Sequence, residues 1–186
     1  MKIACLGWGS LIWDPRGLPI LGNWFEDGPI LPIEFARESG GRRVTLVIVE
    51  QGTLVRTLWA LMSVDDLEDA KAALAEREGI SEENIKYSIG YWCSETETSH
   101  GRCEVQVGAW AKEFGLDAVV WTNLKCGFRN ARDKMPTYEQ ILDHLQTIGH
   151  EERQVAERYI RRAPVQIDTK FRRWLKRDFG WDPIEV

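Results

Sequence analysis

Arg43-Val44-Thr45-Leu46-Val47-Ile48-Val49-Glu50-Gln51-Gly52-Thr53-Leu54-Val55-Arg56-Thr57-Leu58-Trp59-Ala60-Leu61-Met62 is the stretch on which the fold reading turns. Residues 44–49 form a β-branched run of the kind that favours a strand. Gln51-Gly52 reads as a tight turn, and residues 53–62 as the next strand, so the two pair most simply as an antiparallel hairpin. Upstream, residues 33–37 read as a strand that Ser39-Gly40-Gly41 turns back, and residues 2–6 as a buried first strand. Between them, residues 14–32 carry Pro15, Pro19, Pro29 and Pro32 with three glycines, which predicts an extended loop.

Downstream of the hairpin, Ser63-x-x-Asp66 resembles a capping box with Asp in place of Glu. Val64, Leu67, Ala70 and Leu74 follow at helical spacing, and Gly79 is a C-terminal stop. Residues 80–103 are polar, with one apolar piece at 89–93, and read as an elaborated loop or hairpin. Residues 103–111 alternate partly through Val105 and Val107 and are expected as a strand; residues 117–121 are expected as a β-prone return strand. Thr137-Tyr138-Glu139-Gln140 is a capping box after Pro136. It opens a helix with Tyr138, Ile141, Leu142, Leu145 and Ile148 on one face. Gly149 interrupts, a second helix carries Val155, Tyr159 and Ile160 as far as Pro164, and Thr169 caps a third with Phe171, Trp174 and Leu175 inward. Strands, one helix, more strands, then helices imply an α+β fold with a small mixed, largely antiparallel sheet, and no regular βαβ winding.

The 186 residues suit one domain with an appended tail, and 44% hydrophobic with 28% charged residues is an ordinary globular balance. The net charge of −5 is uneven. Residues 1–150 hold 15 Lys+Arg against 22 Asp+Glu, whereas residues 151–186 hold 9 against 7. Eight of those nine basic groups (Arg158, Arg161, Arg162, Lys170, Arg172, Arg173, Lys176 and Arg177) match either a nucleic-acid footprint or a solvated helix face; interspersed acids favour the second. Cys93, His100 and Cys103 cluster loosely, but a zinc site takes about four ligands, so no metal and no cofactor are expected. Cys5, in an apolar strand, reads as a buried inert thiol. No leader is evident before the first strand, and no apolar run approaches the ~20 residues of a membrane span, so the expected setting is cytoplasmic, with reduced thiols and no membrane partner. The oligomeric state is unreadable.

Two segments carry candidate chemistry. Glu78 lies four residues after Leu74 and eleven after Leu67, which puts a carboxylate on the buried stripe at the negative end of a helix. Desolvation and the helix dipole both favour the neutral acid there and so make its conjugate base stronger. The competing reading is structural, with Glu78 paired to Arg77, Lys71 or another cation. The second segment is Gly7-Trp8-Gly9-Ser10-Leu11-Ile12-Trp13, where small residues after a strand let the backbone approach a ligand and its amides form an anion nest. A plain strand-to-loop turn fits the same spacing. A dinucleotide fingerprint does not: Ile12 stands at the third glycine position, and Trp13-Asp14-Pro15 follows where a helix would begin.

That second segment resembles the Tyr-Gly-Ser-Leu/Asn signature of the gamma-glutamyl cyclotransferase-like family, with Trp8 where the family has Tyr. Thr57-Leu58-Trp59-Ala60-Leu61 resembles the family strand that leads into its helix. Leu74-Ala75-Glu76-Arg77-Glu78-Gly79-Ile80 is similar to the segment ending in the catalytic Glu and a Gly. Ala118-Val119-Val120-Trp121 resembles its return strand, and Pro136-Thr137, Gly149 and Tyr159-Ile160 its C-terminal pattern. The resemblance covers residues 1–162 as a cyclotransferase-like domain, with residues 163–186 as a C-terminal helical extension packed on it. It implies a small β-barrel-like sheet with flanking helices. It also implies an enzyme that converts a gamma-glutamyl compound, such as one of glutathione metabolism, into 5-oxoproline and a free amine. Glu78 would be the general acid/base, and Gly7, Trp8, Gly9, Ser10 and Leu11 would hold the glutamyl group. Alternatives of other classes are a non-catalytic small-molecule or partner-binding module on the same fold, and a nucleic-acid contact through the tail.

Overall fold

The computed structural model describes residues 1–184. In chain order, the first half contains β1 (Ile3–Gly7), β2 (Ile20–Phe25), β3 (Ile30–Glu38), β4 (Val44–Ile48), β5 (Thr53–Arg56), β6 (Leu58–Met62) and α1 (Leu67–Glu78). The second half contains α2 (Ile85–Ser88), β7 (Ile89–Cys93), β8 (Thr98–His100), α3 (Glu104–Glu113), β9 (Ala118–Thr122), α4 (Tyr138–Thr147), α5 (His150–Arg162) and α6 (Lys170–Phe179). The fold is mixed α+β, with two mostly antiparallel sheets. The chain forms two compact units. One comprises Met1–Gly7, Asp14–Leu31 and Arg56–Leu124; the other comprises Trp8–Trp13, Pro32–Val55 and the chain from Lys125 onward. Among the described residues no helix is long and apolar enough to cross a membrane.

The first unit is built on a six-stranded sheet in the order β2-β6-β1-β9-β7-β8. β1 is central and entirely buried, which explains its uninterrupted apolar sequence. It pairs antiparallel with β6 (Ala4 opposite Leu61, Leu6 opposite Trp59) and parallel with β9 (Ile3 opposite Ala118, Cys5 opposite Val120). The β7–β8 hairpin completes one side through β9, with Tyr91 opposite Val120. β2, inside the stretch expected as a loop, is the outer strand. Its residues are mostly exposed and its register shifts between Leu21 and Phe25, so it carries no hydrophobic alternation to read.

The expected strand at 103–111 is instead helix α3. Val107, Gly108, Trp110 and Ala111 face inward at helical spacing, while Val105, which suggested alternation, is 77% exposed. Gly108 admits the Trp92 indole, since a Cβ there would lie 2.6 Å from Trp92 Nε1. The start of α1 is also corrected. Asp66 is the cap itself, accepting the Asp69 amide at 2.9 Å, three residues after the expected Ser63.

The expected hairpin of residues 43–62 does not form. In the second unit the three-stranded sheet runs β4-β3-β5, so β3 separates the two segments. β3 is the middle strand of the three, with Leu31, Ile33 and Phe35 fully enclosed, and it pairs with β4 through Ile33 opposite Ile48 and Phe35 opposite Leu46. The single strand expected over 53–62 breaks at Thr57. This buried residue leaves the β ladder to donate its Oγ1 to the Pro29 carbonyl (2.8 Å) and to accept the Gly28 amide (3.1 Å). β5 on one side of it and β6 on the other belong to different sheets.

Helices α4, α5 and α6 form where their caps predict. Thr137 and Gln140 make a reciprocal capping box, Gly149 starts α5, and Thr169 accepts the Arg172 amide at the head of α6. Half of the eight basic groups named in the tail pair with its own acids: Arg161 with Glu157, Arg173 with Asp168, Lys176 with Asp182 and Arg177 with Asp178. Arg172 is buried, and its guanidinium donates to the carbonyls of Arg161, Ala163, Pro164 and Ile167 at the end of α5.

Glu34 of β3, also buried, anchors the head of α6. Its carboxylate accepts the Thr53 hydroxyl (3.1 Å) and the amides of Phe35 (2.9 Å) and Phe171 (3.4 Å). Burial pushes its carboxyl above the ordinary 4.5, against the opposing pull of the Thr169 hydroxyl and these donors. A carboxyl whose folded-state value is raised stabilises most below its unfolded value, and that contribution is lost as pH rises through the folded value. Denaturant unfolding of the wild type is therefore expected to show this group's stability falling from about pH 4.5 upward. Glu34→Gln should flatten that slope, whatever it does to the absolute level. An unchanged slope in the variant removes Glu34 as its source.

Candidate functional site

Helix α1 ends at Gly79, which takes a left-handed conformation (φ 67°) and returns its amide to the Ala75 and Glu76 carbonyls. Leu74 and Ala75 face the core, whereas Leu67 and Glu78 are only part-buried, so the stripe shared by Leu67, Leu74 and Glu78 is less enclosed than expected. The structural partner considered for Glu78 is present. Arg77 Nη1 donates to Glu78 Oε1 at 2.6 Å, and Arg77 Nη2 donates to the Asp14 carbonyl at 2.6 Å. The Arg77 side chain is 3% exposed and that of Glu78 is 19%, so this pair is neither solvent-bathed nor fully enclosed. Lys71, the other partner considered, pairs with Glu68. Neighbouring side chains seldom meet within a helix, and the pair forms here because the helix stops one residue later. The guanidinium also offsets the unfavourable placement of a carboxylate at a helix C-terminus.

The Glu78 charge reaches β1. The Cys5 thiol is pushed up to about 12, first by burial and then by Glu78, with Arg77 opposing. Cys5 is therefore an inert thiol, not a nucleophile. Helix α1 packs against β1, the strand that ends at Gly7.

Gly7 closes β1 opposite Leu58. Beyond it, in the second unit, Trp8 and Leu11 are buried and Ser10 is half-buried. The Ile12 amide donates to the Gly9 carbonyl at 3.0 Å, closing a turn. Neither glycine supplies positive φ: Gly7 is extended in β1 and Gly9 does not lie in the left-handed region. Glycine is needed at 9 for space: a Cβ there would sit 2.5 Å from the Tyr159 hydroxyl. Tyr159, on α5, is buried against Phe35 and meets Trp13 edge to face. Gly9→Ala is expected to destabilise by about 1–3 kcal/mol through overpacking, and Tyr159→Phe in the same chain should restore most of that loss. Chemical denaturation of the double-mutant cycle measures it, and simple additivity of the two changes would refute the contact.

Arg37 and Ser39, at the end of β3, serve the scaffold. Arg37 donates to the Lys125 carbonyl (2.6 Å), and Ser39 bonds the Arg43 carbonyl. Among the described residues no three His, Cys, Asp or Glu side chains come together as metal ligands, and Cys93, His100 and Cys103 do not converge. A feature absent from the sequence reading is a cleft of about 530 Å³ beside Glu38 and His144 in the second unit. Burial opposes ionisation of Glu38, but the Arg129 amide, His144 and Arg42 outweigh it and hold its carboxyl below the usual range. His144 Nε2 meets the Arg42 carbonyl at 2.8 Å. No local motif announces these partners, because β3, α4 and the loop after β9 bring them together from distant parts of the chain.

Comparison with models of protein families, with curated proteins and with solved structures finds no match.

Proposed function

We propose that this chain is a gamma-glutamyl cyclotransferase-like enzyme that releases 5-oxoproline and a free amine from a gamma-glutamyl compound. The observation that carries the reading is Glu78: a part-buried carboxylate, oriented by a buried guanidinium, beside the strand that ends at Gly7. In this reading the backbone of Trp8, Gly9, Ser10 and Leu11 holds the glutamyl group, with Gly7 leading into it. Glu78 takes a proton from the substrate's α-ammonium, and the freed amine attacks its own γ-carbonyl, closing a five-membered ring. As the amide C–N bond breaks, Glu78 passes that proton to the leaving nitrogen, and the second proton shed by the ring nitrogen follows through the same carboxylate, so 5-oxoproline keeps one N–H and the amine departs as its ammonium.

The required magnitudes are within reach. Ring closure is intramolecular, and good orientation supplies up to about 7–11 kcal/mol. A positioned acid/base adds roughly 10²–10⁴ in rate, and one donor to the developing oxyanion adds about 10²–10³. No side-chain nucleophile is called for, in keeping with the inert Cys5 thiol. The barrel-like closure of the sheet and a cytoplasmic setting with reduced thiols belong to the same reading. One observation favours the second reading, a non-catalytic binding module: Arg77 already engages one oxygen of Glu78. The test is 5-oxoproline, measured by mass spectrometry, from a panel of gamma-glutamyl amino acids, peptides and amines. Release identifies the enzyme, and binding without release identifies the module.

A further inference from the structure

Two segments distant in the chain lie together beside the cleft of the second unit. Residues 37–43, at the end of β3 and the turn after it, and residues 125–134, in the loop after β9, hold seven Lys+Arg against two Asp+Glu. The rest of the chain holds 17 against 27. Backbone bonds join the two segments: the Gly127 amide donates to the Ala36 carbonyl (2.7 Å), and the Glu38 amide to the Gly127 carbonyl (3.2 Å). Arg132 Nη2 also donates to the Glu38 carbonyl (2.8 Å). Helix α4, which completes the wall of the cleft, adds Glu139, Asp143 and His144, so the surroundings stay net positive in an acidic protein. A cleft so charged concentrates anions.

The lining is also arranged to donate. Glu38 is already served, since its carboxylate accepts the Arg129 amide (3.0 Å) and Arg42 Nε (3.4 Å). Arg42 and Arg129 both line the cleft. Beyond those contacts Arg42 keeps both Nη groups, and Arg129 keeps Nε and Nη1 while its Nη2 goes to the Ser39 carbonyl (3.2 Å). Gln140 accepts the Thr137 amide through its oxygen, which leaves its amide nitrogen as a further donor. Asp143 is the opposing charge of the lining. The backbone at Arg42 points the same way. Arg42 sits at φ 55°, in the left-handed region that suits the preceding Gly41 (φ 63°) and not an arginine, and His144 Nε2 holds its carbonyl at 2.8 Å. Strain of this kind gathers where a side chain is put to use.

We propose that this cleft binds a small phosphorylated ligand, with Arg42 and Arg129 taking its phosphate. Two guanidiniums, rather than one, match a dianion, and their planar forks suit phosphate oxygens. A volume of about 530 Å³ accommodates a sugar phosphate or a mononucleotide. Phe128, part-buried, gives the lining an aromatic face for the rest of the ligand. The site lies wholly in the second unit and does not depend on the chemistry proposed for Glu78.

The test titrates the full chain with ribose 5-phosphate and with ribose, by calorimetry at low salt. The phosphate should bind with one ligand per chain, and ribose should not bind. Arg129→Gln should weaken binding of the phosphate by about 10- to 100-fold, the range for hydrogen bonds to a charged group. Arg42→Gly should weaken it as much while the variant stays folded by near-ultraviolet circular dichroism, because glycine suits the left-handed backbone at that position. That variant separates lost recognition from lost folding. Asp143→Asn, which removes the opposing charge, should tighten binding by up to about 5-fold. Equal binding of ribose and ribose 5-phosphate, no binding of the phosphate, or wild-type affinity in both arginine variants overturns the proposal. A single-stranded oligonucleotide that binds where ribose 5-phosphate does not, with an affinity that falls steeply with salt, also overturns it and assigns the basic surface to nucleic acid.

Discussion

Glu78→Gln should lower 5-oxoproline release by about 10²–10⁴-fold, the contribution of a positioned acid/base, without unfolding the protein. Gln keeps the size of the side chain and an oxygen that can still accept from Arg77 Nη1, now without charge. Arg77 keeps its second anchor, the Asp14 carbonyl, so its guanidinium stays in place. The stability change should stay within about 1–2 kcal/mol, because Glu78 is part-exposed and a charged hydrogen bond is exchanged for a neutral one. The loss should appear in kcat and kcat/KM together, since the proton transfer is made only in the transition state. Near-ultraviolet circular dichroism confirms that the variant is folded. A folded Glu78→Gln protein that turns over at the wild-type rate removes Glu78 from the chemistry.

Arg172→Met should destabilise the protein by about 3 kcal/mol or more. The guanidinium of Arg172 donates to four backbone carbonyls where α5 ends and the chain turns towards α6; those of Arg161 and Pro164 also accept the Ile184 and Ile167 amides, so its loss bears on the carbonyls of Ala163 and Ile167. Each buried carbonyl left without a donor costs about 1–3 kcal/mol. Relief from burying a cation, which already shows as a lowered Arg172 pKa caused first by desolvation, returns part of that. Arg172→Lys should recover less than half, because one ammonium cannot span four carbonyls as a planar fork does. Urea unfolding measures the effect, and a loss below about 1 kcal/mol would show that water replaces the guanidinium without penalty.

The parts of the fold legible from sequence are those set by contacts close along the chain. Thr137 with Gln140, Thr169, and Gly79 act within one turn of their helices, and those termini lie where cap chemistry puts them. The misread parts depend on distant residues. Nothing near Thr57 foretells a break there, because Gly28 and Pro29 make it. The segment 103–111 is compatible with either period until Trp92 packs against Gly108. The hairpin of residues 43–62 fails because β3 lies between β4 and β5, and residues 58–62 pair with β1 and β2 in the other sheet. The candidate site divides in the same way. Glu78 follows from helical position and its pairing with Arg77 from the helix end, whereas the Tyr159 hydroxyl at Gly9 comes from α5 and leaves no local trace.

The parallel pairing of β1 with β9 sets synthesis order against assembly order. Ile3 leaves the ribosome before Ala118 exists, yet the two sit side by side at the middle of a sheet. At about 5–20 residues per second, β1 waits roughly 6–23 s for its neighbour. During that time this fully buried strand has only β6 to shelter it. A nascent chain stalled before β9 would therefore expose the flank of a fully hydrophobic strand, a natural target for chaperones that bind extended apolar segments.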